Sequence, residues 1–228
     1  MTRSVRFLAA LFGLCLASLG VAAHAQYNTN QRGDVPGRFN YYLLSLSWSP
    51  SYCAEEGMAD RDPRQCGRDR RFSFVVHGLW PQNERGWPSG CGSAERDAPA
   101  TLVTSMLDIM PSPRLVEHEW DAHGKCSGLS AQAFFDLTRR VRNRVIIPAP
   151  YRAPSQTLVV SGAEVERAFI SANPAMTPAM IAVQCDRARL REVRICVTRD
   201  GRPRACGSGV RDNCGPGKVT MPPVRPAR

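Results

Sequence analysis

The chain has 228 residues, 43% of them hydrophobic and 22% charged, with a formal net charge of +10. Aromatic and aliphatic residues are spread along it, which excludes a disordered or low-complexity chain and suffices for one domain with a sizeable core. Only Lys125 and Lys218 are lysines, so the basicity is almost entirely arginine. It fits equally a polyanionic partner, since guanidinium suits phosphate, and a plain solvated surface.

Residues 1–25 read as a signal peptide. Arg3 and Arg6 form a positive start, an apolar stretch runs from Phe7 to about Ala23, and Ala23-His24-Ala25 is a small-x-small cleavage site. The stretch is shorter and richer in Ala and Gly than a spanning helix requires, and no later segment is apolar enough to span a membrane. Cleavage after Ala25 leaves 203 of the 228 residues and lowers the charge from +10 to +8. It also removes Cys15 and leaves eight cysteines, an even number that implies an oxidising compartment and up to four disulfides. Eight cysteines allow 105 pairings, so spacing alone leaves connectivity open. There is no Cys-x-x-Cys pair, which weighs against zinc.

In the remaining chain, 26–228, no repeat or domain boundary is visible, and a single domain is expected. Residues 26–38 are polar and read as loose. Tyr41–Trp48 is apolar and β-prone. Residues 49–71, with two prolines and two cysteines, read as a stapled loop. Residues 72–77 alternate as a second strand, with Phe72, Phe74 and Val76 on one face and Ser73, Val75 and His77 on the other. Residues 98–110 are helical in pattern. Ser112 as N-cap, Pro113 at N1 and Gly124 as the stop predict a helix over 113–123. Residues 130–145 form another amphipathic helix, and Ser161 with Glu164 opens a third with capping-box spacing. Residues 180–185 and 192–198 read as strands, and the Pro- and Arg-rich tail from Gly215 as irregular. Helices grouped around non-consecutive strands predict an α+β fold.

Once His24 is set aside with the signal peptide, the chain has three histidines, His77, His118 and His123. All lie in two short Trp-containing segments, and imidazole is the side chain suited to proton transfer near neutrality. On a helix, Glu119 and His123 share a face, with His118 adjacent to Glu119. Gly78 is expected to let the chain turn away behind His77. A metal site is disfavoured: His118 and His123 are five residues apart, about 500° around a helix, so their rings diverge by roughly 140°. Paired acid–base catalysis fits better.

His77-Gly-Leu-Trp-Pro81 and His118-Glu-Trp-Asp-Ala-His-Gly-Lys-Cys126, about forty residues apart, resemble the two active-site segments of the ribonuclease T2 family. Tyr41–Cys53 resembles that family's first core strand and turn. The resemblance covers about residues 41–214 and is strongest to bacterial periplasmic members. It implies a disulfide-stapled α+β domain with a central, mainly antiparallel sheet flanked by helices. It also implies an endoribonuclease that cleaves single-stranded RNA through a 2′,3′-cyclic phosphate, without metal or cofactor, in the periplasm or outside the cell. His123 would be the base, His77 the acid, His118 a phosphate ligand and Glu119 a stabiliser of the charged transition state. The implied disulfides are Cys91–Cys126, Cys185–Cys214 and Cys196–Cys206, which leaves Cys53–Cys66 by elimination. Trp80 reads equally as a stacking surface for a base and as a core tryptophan. Trp120 reads as core. Gln82, able to donate and accept, predicts low base specificity. The RNA substrate is the one partner expected, and the chain is expected to be a monomer.

One departure from the family pattern stands out. Ala122 occupies the place where the family usually has lysine, and Lys125 stands where it usually has threonine. Either Lys125 or a nearby arginine supplies the missing cation, or charge stabilisation is weaker. Three readings remain: an active ribonuclease, a weakened member that only binds RNA, and a metal-dependent hydrolase. Two histidines in opposite protonation states predict a bell-shaped rate profile around pH 5–7.

Overall fold

The computed structural model describes residues 33–186 and 188–224. The expected signal peptide and its cleavage site, most of the loose segment 26–38, and the last four residues of the basic tail lie outside the described residues.

Four strands form one antiparallel sheet: β1 (Tyr41–Trp48), β2 (Phe74–Gln82), β4 (Ile181–Cys185) and β5 (Leu190–Val197), in the order β2-β1-β5-β4. β1 falls on the apolar, β-prone run that predicts it. Tyr42, Leu44, Leu46 and Trp48 enter the main core, while Tyr41 and Leu43 face the other side of the sheet. Segment 49–66 is not a plain loop. It winds into three short helices, α1 (Ser49–Cys53), α2 (Met58–Arg61) and α3 (Pro63–Cys66), clipped by Cys53–Cys66. β2 begins two residues later than expected and runs through the histidine to Gln82.

The helix expected over 98–110 is only α4 (Ala100–Ser105). The chain leaves it because the Ile109 carbonyl accepts a hydrogen bond from Val76 N–H of edge strand β2 (2.9 Å), while Met106 and Met110 sink into the core. Next comes α5 (Pro113–Ala122). Ser112 holds the N-cap position, but its hydroxyl makes no cap bond. α6 (Ala131–Arg144) is capped by Ser130, whose Oγ accepts from Ala133 N–H at 3.2 Å. α7 (Gly162–Ala172) carries the full Ser161–Glu164 capping box. Val116, Trp120, Phe134, Phe135, Val165 and Phe169 of these helices pack on one sheet face with Leu44, Val76, Leu79, Val193 and Ile195. The tail is less irregular than its composition predicts. β6 (Val219–Met221) pairs antiparallel with β3 (Leu158–Val160), and both were missed because three-residue strands carry almost no periodic signal.

The disulfides are Cys53–Cys66, Cys91–Cys126, Cys185–Cys214 and Cys196–Cys206, the three pairs the resemblance implies and the one left by elimination. Among the described residues, no helix is long and apolar enough to cross a membrane.

Candidate active site

The site lies on the sheet face opposite the helical core, at the open edge formed by β2. A β-bulge creates it. Ser45 of β1 pairs with Gly78 and Leu46 pairs with Val76, so His77 has no partner across the strand. Two residues of β2 oppose one step of β1, and the inside–outside alternation slips by one. Val76 and Leu79 therefore both enter the core at 0% exposure, and His77 and Trp80 both face the site. Without the bulge, a period of two would send Trp80 inward if His77 faced out. The chain does not turn away at Gly78 as expected; the strand continues. The glycine is needed because a Cβ there would lie 1.9 Å from Glu119 Oε2 and 2.3 Å from Trp80 Nε1.

α5 packs beside β2. Its apolar residues Val116 and Trp120 face the core, and Glu119, 1% exposed, reaches over Gly78 to the other face. There Glu119 Oε2 accepts the Trp80 indole N–H at 2.7 Å, and Oε1 lies 3.7 Å from His77 Nε2. The Trp80 ring stands between two imidazoles, with centroids 5.1 Å from His77 and 5.4 Å from His123. It packs against Tyr41, Leu43 and Cys196, yet also lines an open cavity. Trp120 is core, as its place in the helix implies.

α5 ends at Ala122, one residue earlier than expected, and Gly124 is not a left-handed stop. Its small size is required because a Cβ would meet Trp120 Cε3 at 2.4 Å. His123 departs from helical geometry (φ −131°, ψ −46°), and helical spacing no longer fixes its direction relative to His118. Cys91–Cys126 anchors this corner to the loop after β2.

Two cavities flank the cluster. One, of about 470 Å³, is lined by His77 and by His118, an exposed residue, with Tyr52, Arg61 and Arg114. The other, of about 330 Å³, is lined by His123, Trp80, Trp87, Gln82 and Arg194. Lys125 belongs to neither. Its Nζ donates to Asp121 Oδ1 at 2.5 Å, one turn back, and it borders a separate cavity with Glu95 and Leu129. Of the cations the sequence offers in place of the missing lysine, Lys125 therefore sits outside both cavities, paired with Asp121. Arg194 lies beside His123, its guanidinium 5.2 Å from the Trp80 ring centroid.

Two site residues were missed in the sequence, Glu192 and Arg194. On β5, Val193, Ile195 and Val197 are buried in the core, so Glu192 and Arg194 project to the site face, opposite Ser47 and Ser45. Glu192 Oε1 accepts from Ser47 Oγ at 3.3 Å and contacts His77 Nδ1 at 2.6 Å; its Oε2 contacts Arg194 Nε at 2.9 Å. The available signal was two charges alternating with Val and Ile in a strand otherwise built for burial.

Electrostatics separate the groups. Burial pulls the His77 imidazolium down, but the hydrogen bond and charge of Glu192, with the charge of Glu119, outweigh it and raise the pKa above 6.5. His123 is pushed down to about 4 by burial and by the charges of His118 and His77. Burial drives the Glu119 carboxyl up to about 7 against the His77 charge and the Trp80 bond. Glu192 is also buried, but His77 and Arg194 hold it at about 2. These surroundings favour the cationic form of His77, the neutral form of His123 and a Glu119 carboxyl poised to carry a proton, a set suited to paired proton transfer. Among the described residues, no three His, Cys, Asp or Glu side chains converge to hold a metal.

A family model described as the ribonuclease T2 family matches residues 39–206. A ribonuclease of Aeromonas hydrophila is 47% identical over 108 residues, covering 47% of each chain. A probable ribonuclease of Haemophilus influenzae is 36% identical over 140 residues, 54% of this chain and 52% of its own. The chain thus spans about half the length of these relatives. An RNase-related protein from Calystegia sepium superposes with a TM-score of 0.64 at 23% identity, over 82% of this chain and 98% of its own. Ribonuclease MC1 from bitter gourd seeds superposes with a TM-score of 0.60 at 20% identity, over 79% and 99%. At these identities the structural likeness concerns the fold.

Proposed function

The chain belongs to the ribonuclease T2 family, and we propose that it is an endoribonuclease that cleaves single-stranded RNA by metal-independent transphosphorylation. The observation that carries this reading is the arrangement of His77 and His123 on either side of Trp80, with buried Glu119 bonded to that ring. The nucleophile is the substrate's own 2′-hydroxyl, so neither an activated Ser or Cys nor a metal-bound hydroxide is required. Neutral His123 takes the 2′-hydroxyl proton, the oxygen bonds to phosphorus, and the P–O5′ bond breaks. Protonated His77 delivers its Nε2 proton to the departing 5′-oxygen. The products are a 2′,3′-cyclic phosphate and a free 5′-hydroxyl. DNA, lacking the 2′-hydroxyl, is not cleaved.

His118, exposed beside Arg114 and Arg61, binds phosphate in the larger cavity. Glu119, kept partly protonated by burial, donates a hydrogen bond to a non-bridging oxygen as negative charge develops. Trp80 and Trp87 present aromatic surface to a base in the second cavity. Gln82 lines it without a charge, which supports low base specificity. We assign residues 26–228 to one catalytic domain that acts as a monomer in the periplasm or outside the cell, directed by the signal peptide.

The test is incubation of the purified, oxidised protein with polyuridylate in excess EDTA, with His77→Ala and His123→Ala in parallel. Cyclic-phosphate ends from the wild type, and losses of at least about 10²-fold in each variant, are expected. Inhibition by chelation, binding without cleavage, or near-normal turnover in either variant overturns the reading.

A further inference from the structure

Building on the assignment of His77 as the acid, we infer that Glu192 is a positioning residue that fixes the His77 ring and its tautomer, and that Arg194 holds Glu192 in place. Glu192 Oε1 lies 2.6 Å from His77 Nδ1, so Nδ1 carries a proton and donates it to the carboxylate. The proton available for transfer therefore sits on Nε2, the nitrogen that faces Glu119 and the open cleft. The ring cannot rotate without breaking a bond to a carboxylate that is only 12% exposed. That carboxylate is itself saturated: Ser47 Oγ shares Oε1, and Arg194 Nε and its terminal nitrogen grip Oε2 at 2.9 and 2.8 Å.

His77 is the unpaired residue of the bulge, so strand pairing alone does not hold its side chain; β5, two strands away, does. The bond joins residues 115 apart in sequence. Orientation of a proton-transferring imidazole by a carboxylate on its far nitrogen is a recurring device in nucleophilic catalysis. Here it serves the acid. Charges around His77 act in both directions. Glu192 and Glu119 favour its cationic form and Arg194 opposes it. His123 lies across Trp80, and Arg61, Asp62, Arg114 and His118 line the cavity it opens into. Glu192 makes the one hydrogen bond to the ring among the described contacts.

The experiment compares wild type with Glu192→Gln, which keeps an acceptor on Nδ1 and removes the charge. The His77 ring is titrated by nitrogen NMR, and kcat and KM are measured against pH on a dinucleoside phosphate. In Glu192→Gln the His77 midpoint and the alkaline limb of the rate profile are expected to move together to lower pH. At pH 7.5 kcat falls on the order of tenfold with KM within about twofold, and the acid limb stays in place. Glu192→Asp keeps the charge but withdraws it by one methylene. It is expected to retain the limb and lose kcat several-fold, and it serves as the readout should the Gln variant not fold. An unmoved midpoint and limb in Glu192→Gln, or wild-type kcat in Glu192→Asp, overturns the role of Glu192 while His77→Ala inactivity preserves the acid assignment. Full activity of His77→Ala overturns both.

Discussion

His77 and His123 are driven apart by their surroundings, and this decides how activity should depend on pH. The base must be neutral, so the acid limb of kcat/KM follows His123, at about 4. The acid must be protonated, so the alkaline limb follows His77, above 6.5. The profile should be a plateau broader than the pH 5–7 bell expected from ordinary imidazoles; a narrow bell in kcat/KM contradicts these environments. Glu119 makes the opposite kind of statement. Its folded pKa of about 7 exceeds the ordinary carboxylate value of 4.5, so its protonated form is the one the fold favours. Stability from this group is present below about pH 4.5 and is lost as pH rises through 7. Glu119→Gln should therefore be more stable than wild type at pH 8, by on the order of 2–3 kcal/mol, with the gap closing toward pH 4.5, while activity drops. Urea midpoints at the two pH values check this. Lys125→Ala should keep turnover within about twofold of wild type, because Lys125 is paired with Asp121 outside both cavities. A tenfold loss would restore it as the compensating cation.

At the scale of elements, β2 and α5 make the site by one irregularity and one missing side chain. The bulge at His77 turns two side chains to the same face, and Gly78 leaves room for Glu119 to cross the strand. Gly78→Ala should displace Glu119 and Trp80 together. We expect kcat/KM to fall at least on the order of 10²-fold and stability to fall by about 1–3 kcal/mol. Steady-state kinetics and thermal melts measure both, and wild-type kinetics would show that the contact yields without cost. β1 was readable because its residues are apolar and β-prone, α6 because its apolar residues recur at helical spacing, and α7 because its capping box is local chemistry. α4 was read too long because a tertiary bond from Val76 to Ile109 ends it. The same holds for the short pairing of β3 with β6, which depends on residues about sixty positions away.

On the scale of the whole molecule, the arginine-rich charge and the disulfides act together. Arg61 and Arg114 line one cavity and Arg194 the other, where a polyanionic substrate would meet them. Raising salt from about 50 to 200 mM should raise KM for polyuridylate on the order of tenfold and leave kcat nearly unchanged. A salt-independent KM would return the arginines to a solvating role. The disulfide Cys91–Cys126 holds the His123 corner against the loop after β2, and Cys196–Cys206 secures the strand that carries Glu192. By itself the amino-acid sequence singled out the three histidines, the Ser161–Glu164 capping box and the first strand, because these are written in neighbouring side chains. Only the tertiary structure decided the bulge, the direction of Lys125, the Glu192–His77 contact across 115 residues and the opposite shifts of the two imidazoles. Strand register and desolvation depend on which distant surfaces meet, and no local spacing encodes that.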